Sequence, residues 1–114
     1  MARKLVFVVF PNFQLLDVAG PIAAFEMANR MEPRTYELTL ASQKGGAVES
    51  SAGTTLLAIP FAQVFDADTV IAVGGEGVIA AASCTEMLDF IHDLSRKARR
   101  TASVCSGAYL LASA

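Results

Sequence analysis

Six consecutive residues near the start of the chain, Leu5-Val6-Phe7-Val8-Val9-Phe10, carry no polar side chain, and the run ends at Pro11-Asn12. A strand with one face in water alternates apolar and polar residues. An unbroken apolar, β-branched and aromatic run marks a strand buried on both faces, as in parallel sheets whose crossovers lay helices on either side. Thr69-Val70-Ile71-Ala72-Val73 repeats the pattern. With 114 residues, 54% hydrophobic and 18% charged, the chain has the material for one such domain without staples.

Around these runs, helical and extended segments alternate. Val18, Ile22, Phe25 and Met31 fall on one helical stripe facing a sheet. Pro21 suits a first turn, so the helix should start within a few residues of Asp17, and Glu32-Pro33 ends it. Tyr36 to Ala41 reads as a second strand. Gly45-Gly46 makes a turn, and Val48–Ser50 with Thr54–Ile59, joined around Ala52-Gly53, reads as a small hairpin or an extended excursion. Pro60 to Phe65 is a short helical turn or loop. Val78 to Ala82 begins a helix, and Thr85 caps a longer one from Glu86 to about Arg99, with Met87, Leu88, Ile91, Leu94 and Ala98 as its apolar face. Thr101 to Tyr109 reads as a short buried strand that stops at Cys105 and turns at once into a helix. The alternation predicts an α/β fold, a flavodoxin-like doubly wound and mostly parallel sheet with helices on both faces.

Right-handed crossovers put three connections on the carboxyl edge of such a sheet: the loop leading to Asp17, the loop Gly74-Gly75-Glu76-Gly77, and the turn at Cys105. A thiol at a strand-to-helix elbow followed by Ser106-Gly107 is set as a nucleophile is, with a helix N-terminus that favours thiolate. The plain alternative is a structural cysteine, since free cysteines behave as small hydrophobes. Asp17 is the carboxylate best placed to reach the thiol, and it is equally a residue type that caps helices. The Gly75 and Ser106 backbone N–H groups are candidates for an oxyanion hole, and the glycines also fit a plain turn. Cys84, with no polar partner evident, reads as structural, and His92 as solvated. The Arg96–Arg100 cluster reads as a C-terminal helix turn complementing the dipole, and not as a DNA-binding patch.

Net charge of −2 and a pI of about 5.2 point away from nucleic acid. Two cysteines without CxxC spacing and one histidine leave no metal cluster to propose, and the Gly74–Gly77 loop is not a dinucleotide fingerprint, so no cofactor is implied. Arg3-Lys4 before Leu5–Phe10 imitates a signal peptide, but Pro11, Asn12, Gln14 and Asp17 break the apolar run too early. No run reaches the ~18–20 residues of a membrane span. Unpaired cysteines make the cytoplasm the expected compartment.

Phe10-Pro11-Asn12-Phe13-Gln14-Leu15-Leu16-Asp17-Val18-Ala19-Gly20-Pro21, the Gly74-Gly75 turn and Val104-Cys105-Ser106-Gly107-Ala108 together resemble the PfpI/ThiJ superfamily, within the class I glutamine amidotransferase-like fold. Two branches look especially similar. One is the sensing domain of GlxA-type, AraC-family transcription regulators, on Leu16–Pro21 running into Ala28-Asn29-Arg30 and on Leu40-Ala41-Ser42. The other is isonitrile hydratase, whose aspartate and elbow cysteine match Asp17 and Cys105, with Ser106 in place of the usual threonine. The resemblance implies that Cys105 is a nucleophile or ligand-sensing thiol, that Asp17 bonds to it or moves a proton, and that the Gly75 and Ser106 N–H groups hold an oxyanion. Both branches continue past the elbow helix, into a segment with a histidine and, in regulators, a helix-turn-helix region. Residues 1–114 therefore read as a C-terminally incomplete PfpI-like domain without a DNA-binding domain. The leading expectation is a metabolite-sensing domain, homodimeric, contacting neither nucleic acid nor membrane by itself. A cysteine-dependent hydratase or hydrolase and a non-catalytic dimerisation module are the rivals.

Overall fold

The computed structural model describes residues 2–114. The element order is β1 (Arg3–Val8), α1 (Leu15–Met31), β2 (Tyr36–Ser42), β3 (Gly46–Glu49), β4 (Thr55–Pro60), β5 (Thr69–Ala72), α2 (Val78–Ala82), α3 (Thr85–Lys97), β6 (Arg100–Ser103) and α4 (Gly107–Ser113), with a 3-10 turn at Phe61–Gln63. The six strands form one sheet in the order β3-β4-β2-β1-β5-β6. Every pairing is parallel except that of the β3–β4 hairpin. This is the flavodoxin-like winding that the unbroken apolar runs predict.

The centre of the sheet explains those runs. Leu5, Phe7 and Val9 alternate with Val6, Val8 and Phe10, and all six are buried. Burial of each such side chain stabilises by roughly 1.5–3 kcal/mol relative to exposure. Phe7 shares its face with Leu40 and Ile71 in register, and its ring meets Phe25 of α1 edge-on at 6.5 Å. The β1-to-β2 and β5-to-β6 crossovers run in opposite directions across the sheet. Right-handedness therefore sends α1 to one face and α2–α3 to the other. On the α3 side, Phe90 stacks on Phe61 with centroids 3.8 Å apart.

Asn29 seats the start of β2. Its side-chain amide donates to the Tyr36 carbonyl at 2.9 Å and accepts the Tyr36 N–H at 2.8 Å, as a neighbouring strand would.

Four local expectations are corrected. Met31 is 85% exposed, because the α1 stripe in contact with the core is set by Leu15, Val18, Ile22 and Phe25. Pro21 lies in the second turn of α1, since the helix already begins at Leu15. Thr85 is the first residue of α3, and Cys84 holds the cap position without a side-chain bond to the helix backbone. The strand before Cys105 is exposed along its whole length, because β6 is an edge strand paired only with β5.

At the amino end of the sheet Asp68 ties β5 to the α3–β6 junction. Arg99 Nε donates to its Oδ1 at 2.8 Å, and the Thr69 hydroxyl donates to Oδ2 at 2.8 Å. The Arg99 bond, then the Thr69 bond, hold the Asp68 carboxyl at about 2, below its ordinary 3.8. A depressed native pKa contributes stability that is fully present above 3.8 and lost as pH falls through about 2. Asp68→Asn is therefore expected to be less stable than the parent at neutral pH, and the two chemical-denaturation curves should converge as pH approaches 2.

Candidate functional site

Between β1 and β5 the direction of winding reverses, and in open α/β sheets ligands bind at the carboxyl ends of the strands beside such a point. The loops after β1, β5 and β6 meet there. Backbone bonds knit the first two together: Gln14 N–H donates to the Gly74 carbonyl at 2.9 Å, and Gly77 N–H to the Asn12 carbonyl at 3.1 Å. The β3 end joins them, with Asn12 N–H donating to the Glu49 carbonyl at 2.8 Å. Asn12 reaches both partners from the left-handed region, φ +64°.

Asp17 enters this rim from the first turn of α1. Gln14 occupies the cap position, so the carboxylate is not the helix cap. It is instead buried, 8% exposed, and its Oδ2 accepts the Gly74 N–H at 3.1 Å. The Gly75 N–H donates to Ser106 Oγ at 3.0 Å. Carboxylate and elbow are thus linked through consecutive N–H groups of the glycine pair. Among the described residues no hydrogen bond joins Asp17 directly to Cys105.

The elbow itself is strained. Cys105 is exposed and holds φ +52°, a region that costs a residue with a side chain about 1–2 kcal/mol. The turn is held on both sides: Val104 N–H donates to the Ala72 carbonyl at 2.9 Å, and Gly107 N–H to the Val104 carbonyl at 3.0 Å. Such strain persists where the surroundings over-determine it and presents the side chain outward. Cys105→Gly is expected to raise stability by about 0.5–1 kcal/mol, measured by denaturant melts, because glycine takes this conformation freely. Cys105→Val should move stability the other way.

The other residues singled out in the sequence lie away from this rim. His92 is exposed midway along α3, and Arg96 and Lys97 occupy the last turn of that helix. Cys84 is corrected: its thiol has polar partners, Glu86 Oε2 at 3.3 Å and Gln43 Oε1 at 3.5 Å. The Glu86 backbone N–H, then the Cys84 thiol, hold the Glu86 carboxyl below its ordinary 4.5. The sequence reading missed a cavity of about 670 Å3 bordered by Gln43 and Cys84 and lined also by Phe10, Lys44, Val48 and Met87. Its walls come from three segments far apart in the chain, so no local spacing signals it. No helix among the described residues is long and apolar enough to cross a membrane.

The profile of the DJ-1/PfpI family matches residues 3–114. An uncharacterized protein in the cpoL 5′ region of Streptomyces lividans is 35% identical over 113 residues, covering 98% of this chain and 79% of that protein. The HTH-type transcriptional regulator GbdR of Pseudomonas aeruginosa is 32% identical over 116 residues, covering 98% of this chain and 31% of the regulator. A THiJ/PfpI family protein from Pseudomonas syringae superposes with a TM-score of 0.89 at 27% identity, over 99% of this chain and 46% of that one. The chain thus spans less than half the length of the regulator and of the solved protein.

Proposed function

The chain belongs to the DJ-1/PfpI family, and from that premise we propose that it is the ligand-sensing domain of a GlxA/AraC-type transcriptional regulator. Its ligand is a small metabolite held at the rim shared by Asp17, Gly74-Gly75 and Cys105-Ser106. The alignment with an HTH-type regulator over 98% of the chain supports the regulatory half of this reading. The observation that carries the binding half is the wiring of the rim. The Gly74 N–H is bonded to the Asp17 carboxylate and the Gly75 N–H to the Ser106 hydroxyl. A resting oxyanion hole presents open donors; here a ligand oxygen exchanges with the Ser106 hydroxyl at Gly75, and Cys105 flanks it. One observation favours the rival, a cysteine-dependent hydratase or hydrolase: the strained, exposed Cys105 is posed as nucleophiles are.

Thermal shift over a metabolite panel tests the reading. The expected result is a stabiliser whose effect disappears in Asp17→Asn and grows in Ser106→Ala, which removes the hydroxyl that the ligand must displace. If every stabiliser acts on both variants as it does on the parent, the rim is not the sensor. If turnover of a stabiliser accompanies its binding and stops in Cys105→Ser, the enzymatic rival takes its place.

The same reading takes the domain as a homodimer in the cytoplasm, the compartment that suits its unpaired cysteines. Leu16, Met27 and Met31 stand 70%, 54% and 85% exposed on α1. An antiparallel two-fold packing of α1 on its copy sets Leu16 of each protomer opposite Met31 of the other.

A further inference from the structure

The 670 Å3 cavity shares Asn12 and Gly77 with the rim loops but is lined by neither Asp17 nor Cys105. Its floor is apolar and buried: Val9, Phe10, Val48, Ala81 and Met87. Its mouth is polar, with Gln43, Lys44 and Glu49 exposed. A volume in the range of about 300–1,000 Å3, a mostly apolar lining and a few polar groups at one side are the marks of a small-molecule site.

The charge at the mouth is unusual for this molecule. Arg3 and Lys4 open β1, Arg30 and Arg34 follow one another at the end of α1, and Arg96 to Arg100 surround the end of α3. All but one of the nine basic residues thus gather at the amino end of the sheet. The exception is Lys44, alone at the carboxyl end and at the mouth of the cavity. The ion pairs among the described residues are Lys4–Asp66, Arg30–Glu26 and Arg99–Asp68, and none engages Lys44. The only carboxylate in the lining, Glu49, is at the far end of β3, about 10–13 Å along the strand.

We propose that this cavity binds a small carboxylic acid with an apolar body. The acid group pairs with the Lys44 ammonium, and the body lies against Phe10, Val48 and Met87. Cys84 reports occupancy: its thiol lines the wall and reaches Gln43 of the opposite loop. The site is independent of the rim, so it stands or falls whether or not Cys105 senses a ligand.

The test uses the full chain carrying Cys105→Ser, in which Cys84 is the remaining thiol. Its alkylation by iodoacetamide is timed with octanoate or 3-phenylpropionate, and with the corresponding neutral amides. Saturating acid is expected to slow alkylation about tenfold while the amides leave it within about twofold, and Lys44→Met should erase the difference, because the bound state is protected in proportion to its population. The proposal is overturned if neither acid protects, if acid and amide protect equally, or if the preference survives Lys44→Met. Protection that vanishes in Asp17→Asn but not in Lys44→Met also overturns it, because the acid then sits at the rim.

Discussion

Gly107→Ala is expected to cost about 3 kcal/mol or more, lowering the melting midpoint by over about 10 °C for a domain of this size. A Cβ on Gly107 stands 2.1 Å from the Ala72 carbonyl oxygen and 2.9 Å from that of Val73. Both are backbone atoms of a central strand and its exit, so no rotamer change relieves the clash. Either α4 lifts away from β5 or the end of β5 bends. Lifting α4 uncovers Leu110, now fully buried, and disturbs the turn that holds Cys105. Gly20→Ala is the matched control. Beyond its chain neighbours, a Cβ there meets only Leu16 Cδ1 at 3.9 Å in an exposed stretch of α1, and the crowding of that Cβ against the Pro21 ring offsets the helix gain, so stability should stay within about 1 kcal/mol of the parent. The melt of Gly107→Ala should therefore fall well below that of Gly20→Ala. Equal melts would mean that the elbow packs less tightly than its backbone contacts require.

What could be read in the sequence was whatever a side chain's type reports about its own surroundings. Leu5–Phe10 and Val70–Val73 had to be interior because neither face offers a polar residue, and both are. Gly45-Gly46 had to turn, and both glycines hold φ near +70° to +75°. The misreadings concern what neighbours decide. Thr101-Ala102-Ser103 looks buried by composition, but exposure depends on whether a strand or helix lies beside it, and β6 is at an edge. Asp17 has the chemistry of a cap, yet its carboxylate is spent on the Gly74 N–H, 57 residues away in the chain, leaving Gln14 at the cap. Thr85 lost its cap role because α2 ends at Ala82 and Cys84, whose N–H bonds back to the Ala81 carbonyl, takes the cap position before α3. The three loops of the rim were legible because topology alone brings them together. The hydroxyl of Ser106 on the Gly75 N–H was not, since the sequence marked Ser106 for its backbone.

Asp17→Ala is expected to lose about 1–3 kcal/mol, because the Gly74 N–H, bonded to a carboxylate that is only 8% exposed, is left without an acceptor. Asp17→Asn keeps an acceptor oxygen in the same place and should lose less than half as much. The pair separates two roles that a single variant would confound. If Asp17 only fastens α1 to the glycine loop, Asn restores both stability and the ligand-induced thermal shift. If it also meets the ligand, as the proposed sensor requires, Asn restores stability but leaves the shift missing. Denaturant melts with and without the best stabiliser decide the matter. The pattern that sinks a binding role for Asp17 is full recovery of the shift in Asn. The coupling runs through adjacent N–H groups: Gly74 answers to Asp17 and Gly75 to Ser106, so a ligand that displaces the Ser106 hydroxyl presses on the peptide the carboxylate holds. Ser106→Ala frees the Gly75 N–H without touching Asp17. In the sensor reading it should therefore alter ligand affinity with little change in the unliganded melt, the reverse of what Asp17→Ala does.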